Sequence, residues 1–289
     1  MELKGTVTAL VTPFRDGETD HESLARLVGY QLSSGVRGLL ACGCTGEPAT
    51  LSEGEKVAVI ETVLEANEGT LQVLAGTGTN CTASSVEFTR KVSRMPVDGV
   101  LVITPYYNKP TAEGQLAHYT AVAEASEKPV IIYNVPGRTG TCMSVQTLAK
   151  LGEHPNIAGV KDAAGSVERV TELRNLSGMA YLSGDDHLAL PQIFMGASGV
   201  VSVTSNAVPG KMAQMTELGL QGKTAEAVKI HDELYPLFRA LFLETSPAPV
   251  KKALQLLGVI ADHGTRLPLV PAGKETEEVI RSILGKIAV

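Results

Sequence analysis

In this 289-residue chain, four residues stand at or just after the ends of short β-branched runs and are of the kinds that carry out carbonyl chemistry. Lys161 closes the run Ile157-Ala158-Gly159-Val160. Alternation along that run can turn its side chain inward, where a poorly solvated ammonium gives way to the neutral amine that attacks a carbonyl and forms a Schiff base. Tyr133 ends the run before it, and a phenolic hydroxyl there can carry protons to and from the carbons beside such an imine. Arg138 lies in a Pro136-Gly137-Arg138 turn, which suits a guanidinium for two-point capture of a carboxylate. The turn Gly43-Cys44-Thr45-Gly46 offers backbone N–H groups and the Thr45 hydroxyl to the carboxylate of a small keto acid. Each residue also has an ordinary reading: a solvated lysine at a strand edge, a core tyrosine, a surface arginine, a bare tight turn.

These side chains act together only if the chain gathers the strand ends. Eight apolar runs read as strands: 6–10, 38–41, 71–75, 99–103, 130–133, 157–161, 181–183 and 199–202. Between them apolar residues recur at three-and-four spacing, as at Leu24, Leu27 and Val28, or Val57, Ile60, Val63 and Leu64, the mark of amphipathic helices. Ser52 with Glu55 has the spacing of a capping box, and Ser144 and Ser166 are placed to cap the helices after them. Eight nearly all-apolar strands alternating with helices predict an α/β fold, a (β/α)8 barrel with a C-terminal helical appendage. The rival is an open doubly wound sheet, which normally carries a glycine-rich phosphate loop after its first strand; here Val11-Thr12-Pro13-Phe14 follows instead. Gly76-Thr77-Gly78 lacks the third glycine of a dinucleotide fingerprint. From about Lys223 the strands stop, and helical patterns follow near 225–243, 248–257 and 275–287. The expected division is a catalytic barrel over residues 1–222 and a helical segment over 223–289.

In such barrels chemistry sits at the C-terminal strand ends. Strand two leads into Gly43–Glu47, strand four into Thr104-Pro105-Tyr106-Tyr107-Asn108, and strand seven into Gly184-Asp185-Asp186. Twenty-five Lys and Arg against 31 Asp and Glu leave a net charge of −6, which argues against general nucleic-acid or anionic-membrane binding. No apolar run approaches the roughly 18 residues of a membrane helix, and Met1-Glu2-Leu3-Lys4-Gly5 is not a signal-peptide start, so the expected location is the cytoplasm. The four cysteines, Cys42, Cys44, Cys81 and Cys142, are too few and spread for a disulfide framework. Cys42-Gly43-Cys44 has no second pair or nearby histidine to complete a metal site.

On these residues the chain resembles the N-acetylneuraminate lyase superfamily of pyruvate-dependent class I aldolases, and within it the dihydrodipicolinate synthase family. The likeness runs from Gly5–Pro13 through Tyr133-Asn134-Val135-Pro136-Gly137-Arg138-Thr139-Gly140, Gly159-Val160-Lys161-Asp162 and Ser183–Asp186 to Pro249-Val250-Lys251 and Arg266-Leu267-Pro268. The arginine turn is the specific motif, since sialic-acid lyases share the lysine and tyrosine without it. The resemblance implies that Lys161 forms the Schiff base with pyruvate, that Tyr133 donates and accepts protons, and that Thr45 binds the pyruvate carboxylate. It also implies that Val201 lines the pyruvate site, that Gly184 is on the substrate side, and that Arg138 holds the carboxylate of aspartate semialdehyde. Tyr107 would reach a neighbouring subunit's site, which implies an oligomer, commonly a homotetramer built as a dimer of dimers. No metal or organic cofactor is implied.

Two features depart from the family pattern. The hydroxyl that usually bridges Tyr133 and Tyr107 is replaced by the thiol of Cys44, a weaker hydrogen-bonding group. The lysine pocket of feedback-sensitive relatives maps to Pro48, Ala49, Glu53, Lys56, Asn80, Ser84 and Tyr106, of which Asn80 and Tyr106 fit. Histidines are expected at Glu53 and Lys56, and a glutamate at Ser84. Another keto-acid aldolase, or a non-catalytic pyruvate-binding relative, stands as the alternative.

Overall fold

The computed structural model describes residues 1–287; the last two positions of the expected 223–289 segment lie outside the described residues. Eight strands, Gly5–Ala9, Gly38–Ala41, Gln72–Gly76, Gly99–Ile103, Val130–Asn134, Ile157–Asp162, Ala180–Ser183 and Gly199–Ser202, close into a barrel in which each hydrogen-bonds to its neighbours in chain order. An added hairpin, Phe14–Arg15 with Glu18–Thr19, follows the first strand. The eight expected strands are all present, with ends moved by a residue or so. The open-sheet alternative is excluded by the closure.

Two compact units divide the contacts. The first joins Met1–Gly5 to Val73–Val201. Its strands pair in parallel, with Leu74 beside Gly99, Ile103 beside Tyr133, Tyr133 beside Lys161, Lys161 beside Leu182, and Ser183 beside Val200. Val100, Val102, Val130, Ile131, Ile132, Val160 and Val200 are fully buried, as expected where both faces of a parallel sheet are covered. The second unit joins Thr6–Gln72 to the chain from Ser202 onward. It pairs the first two strands through Val7 and Gly38, and packs helix His21–Leu32 on Glu53–Asn67, Pro209–Leu220 on Thr224–Ala240, and Ala248–Leu256 on Lys274–Leu284.

The Ser52–Glu55 capping box forms in both directions: Ser52 Oγ accepts from the Glu55 N–H, and Glu55 accepts from the Ser52 N–H. Ser144 caps its helix by accepting from the Thr147 N–H. Ser166 does not cap. The next helix, Glu168–Leu176, starts after Val167, whose backbone is already helical, and the buried Ser166 hydroxyl has no hydrogen-bond partner. Helix Thr224–Ala240 stops three residues short of the expected Leu243, leaving Phe242 and Leu243 exposed. The last helix ends at Leu284, where Gly285 follows as C-cap.

Candidate active site

Within the first unit, the ends of the fifth and sixth strands build the reactive pair. Tyr133 and Lys161 are register partners, so their side chains leave the sheet on the same face. Both are buried, and the Lys161 Nζ lies 4.2 Å from the centre of the Tyr133 ring. The π face contacts the amine while contributing no counter-charge of its own. The next pair along the register, Asn134 and Asp162, points to the other face. There Asp162 accepts from Asn134 Nδ2 at 2.9 Å, from the Ala164 N–H at 3.1 Å and from Arg169 Nε at 2.8 Å. Arg169 also donates to the Met143 carbonyl at 3.0 Å, and the Met143 N–H donates to Asn134 Oδ1 at 3.0 Å. The carboxylate next to Lys161 in sequence is thus directed to an arginine, and the network fixes the backbone that presents Lys161. The Tyr133 carbonyl accepts from both the N–H and the hydroxyl of Thr104, tying the fourth strand's end to the fifth.

Arg138 stands on the single helical turn Pro136–Thr139, which Pro136 opens and Gly140, at φ +70°, closes. Thr139 Oγ1 donates to the Thr141 carbonyl at 2.8 Å, pinning the turn, and Arg138 is exposed. Gly184 follows the seventh strand with its N–H donating to the Asp162 carbonyl at 2.8 Å. A Cβ there would lie 2.7 Å from the Ala163 Cβ, so only glycine lets the sixth and seventh strand ends approach this closely. Val201 is fully buried on the eighth strand. Tyr107 is 88% exposed on the loop after the fourth strand and holds a left-handed φ of +72°, a costly conformation for a tyrosine. Tyr106 is half-buried, and the Asn80 carbonyl accepts from Asn108 Nδ2 at 2.7 Å.

In the second unit, Cys44 and Thr45 occupy the 3₁₀ turn Cys44–Gly46 at the end of the second strand. Thr45 is buried and Cys44 half-buried. Burial pushes the neighbouring Cys42 thiol up to about 12, so it stays protonated. Ala49 is exposed on the next 3₁₀ turn, Pro48–Thr50, and Glu53 opens the following helix, which also carries Lys56.

Sequence reasoning missed what anchors this turn. Glu47, just after it, is buried at φ +53° and forms an ion pair with Lys251, which is fully buried in helix Ala248–Leu256. Lys251 also donates to the Gly264 carbonyl at 2.8 Å and sits 4.1 Å from the centre of the Phe14 ring. The Arg266 N–H donates to Glu47 at 3.2 Å, and the Arg266 side chain donates to the Thr50 carbonyl at 3.0 Å and to Glu55 at 2.5 Å. That last bond lowers the Glu55 carboxyl to about 2. The available signal was a lysine at a core position of an otherwise apolar helical pattern.

A closed parallel barrel with a buried amine on a tyrosine ring at adjacent strand ends defines a Schiff-base-forming barrel enzyme. The chain belongs to the dihydrodipicolinate synthetase family, whose model matches residues 2–287. It is 46% identical over 288 residues to a 4-hydroxy-tetrahydrodipicolinate synthase of Nitratidesulfovibrio vulgaris, covering 99% of this chain and 98% of that one. It is also similar to the solved 4-hydroxy-tetrahydrodipicolinate synthase of Methylacidiphilum fumariolicum SolV, with TM-score 0.96, 40% identity, and coverage of 99% and 96%. A third similar structure is the chloride-inhibited dihydrodipicolinate synthase of Acinetobacter baumannii complexed with pyruvate, with TM-score 0.96, 41% identity, and 99% coverage of both chains.

Proposed function

We infer that this chain condenses pyruvate with L-aspartate 4-semialdehyde to 4-hydroxy-tetrahydrodipicolinate, a step toward diaminopimelate and lysine. The observation that carries this is Lys161, buried and seated on its register partner Tyr133 in a barrel of this family. The Lys161 amine adds to the pyruvate ketone, and loss of water gives the imine. Tyr133 takes a proton from the methyl group, and the resulting enamine carbon bonds to the aldehyde, whose oxygen becomes the 4-hydroxyl after protonation. The substrate's own amine then attacks the imine carbon, closes the ring and releases Lys161. One water is lost overall, and the protein's amine is the electron sink.

In this reading Thr45 binds the pyruvate carboxylate and Val201 and Gly184 line the substrate side. Arg138, exposed on its helical turn, holds the semialdehyde carboxylate. Tyr107 serves the site of a second copy and Cys44 holds the relay position between tyrosines. The exposed, left-handed Tyr107 supports a role at a subunit contact, and the assembly proposed is a homotetramer in the cytoplasm. Among the described residues no helix is long and apolar enough to cross a membrane. Residues 1–222 make up the proposed catalytic barrel, with the helical segment from 223 appended.

The test is borohydride reduction in the presence of pyruvate, followed by peptide mass spectrometry, with a coupled assay on both substrates. A three-carbon adduct on Lys161 and turnover with aspartate semialdehyde are expected. An adduct elsewhere, or turnover with sialic acid or 2-keto-3-deoxygluconate in place of the semialdehyde, contradicts the reading.

A further inference from the structure

Glu47 is held in a way that local sequence does not explain. A left-handed φ of +53° is unfavourable for a non-glycine residue, and a buried carboxylate is more so unless it is paired. Its pairing comes from far along the chain: Lys251 on one oxygen and the Arg266 N–H on the other. Lys251 is itself fully buried, between Glu47, the Gly264 carbonyl and the Phe14 ring. Burial pulls its pKa below the ordinary lysine range, and the Glu47 carboxylate limits the fall. Buried ion pairs are seldom the cheapest way to fill a core, so one retained here calls for a use other than stability.

That use is next door in the chain. The Glu47 N–H donates to the Cys44 carbonyl at 3.2 Å, and the Gly46 N–H to the Gly43 carbonyl at 2.8 Å, so Glu47 is the C-cap of the turn that carries Thr45. Thr12 Oγ1 donates to the Gly46 carbonyl at 2.8 Å, holding the turn from its other side. After Glu47 the chain enters Pro48–Thr50, whose last carbonyl is also held by Arg266. The backbone of the turn that carries Thr45 is therefore tied on one side to Thr12 and on the other to the anchored Glu47.

We propose that the Glu47–Lys251 ion pair is a positioning element for pyruvate, holding the Cys44–Gly46 turn so that Thr45 meets the keto-acid carboxylate. This rests on the role given to Thr45 above. Glu47 and Lys251 touch no substrate; they act through the turn. The effect should appear in pyruvate binding and not in capture of the second substrate, which falls to Arg138.

The experiment compares wild type with Glu47→Asp, Glu47→Gln, Lys251→Met and the double variant Glu47→Gln/Lys251→Met, with active sites counted by borohydride trapping. Glu47→Asp keeps the charge and shortens its reach by one methylene. The double variant removes both charges, so neither is left buried alone. In variants that fold, the pyruvate KM should rise about ten- to a hundredfold, as for a misplaced orienting group, while the semialdehyde KM stays within about twofold. A purely structural pair would lower the melting temperature and the active fraction and leave the pyruvate KM of the remaining sites unchanged. That result in Glu47→Asp or the double variant overturns the proposal. A wild-type enzyme that forms no adduct at Lys161 instead overturns the functional reading on which it rests.

Discussion

Lys161 and Tyr133 are register partners on neighbouring strands, and the Lys161 amine lies 4.2 Å from the centre of the Tyr133 ring. In the proposed mechanism the ring seats the amine and the hydroxyl moves the proton, two roles that can be separated. Tyr133→Phe keeps the ring face and removes the hydroxyl. Pyruvate should still be trapped on Lys161 by borohydride, while turnover falls about a hundred- to ten-thousandfold, the range for a lost general acid–base. Turnover close to wild type would assign the proton transfer to another group.

Cys44 is half-buried on its 3₁₀ turn, at the position where the resemblance expects a hydroxyl. Removing it by Cys44→Ala should slow turnover about ten- to a thousandfold, and Cys44→Thr should keep or raise the rate. Steady-state kinetics of the two variants decide the point. Cys44→Ala with unchanged kinetics removes the thiol from the mechanism.

Tyr107 is exposed and held in a conformation costly for its residue type. If its hydroxyl serves a neighbouring copy, Tyr107→Phe lowers turnover and leaves the assembly intact by analytical ultracentrifugation. A monomeric wild-type enzyme with full activity would contradict the shared role.

Most of the barrel was legible because each strand is an apolar run bounded by turn residues, and burial on both faces leaves little room for another period. Lys161 and Tyr133 were legible because each ends such a run. The Glu47–Lys251 pair was not: it spans 204 positions, and no local pattern records a long-range ion pair. The second compact unit also brings the C-terminal helices together with residues 6–72, a long-range association that periodicity does not report. Ser166 misled because serine before a helix is a cap only if its backbone is extended, and here the helical backbone begins at Val167.

Feedback by L-lysine is expected to be weak. Ser84 stands where the resemblance expects a glutamate, and a serine hydroxyl replaces a charge-assisted hydrogen bond to an ammonium, a loss of about 1.5–3 kcal/mol. At about 1.4 kcal/mol per tenfold, lysine binding falls roughly ten- to a hundredfold. Millimolar L-lysine should leave the steady-state rate nearly unchanged, and strong inhibition below a millimolar would show that the pocket works without the glutamate.

His118 gives the fold a pH dependence separate from the chemistry. It is 3% exposed on helix Ala112–Ala125, lies edge-on to Tyr119, and pairs its Nδ1 with the Thr82 hydroxyl at 3.0 Å, while its buried Nε2 has no hydrogen-bond partner. Burial lowers its pKa from 6.5 to about 4. The folded state therefore keeps the imidazole neutral where the unfolded chain takes up a proton. Its contribution is fully present above pH 6.5 and declines as pH falls toward 4, because over that window the unfolded state binds more protons. The loss reaches about 2 kcal/mol by pH 5. His118→Gln cannot titrate, so between pH 7 and pH 5 wild type should lose about 2 kcal/mol more unfolding free energy than the variant does, measured by denaturant titration at each pH. Equal losses in the two proteins would mean that His118 accepts its proton without leaving the fold.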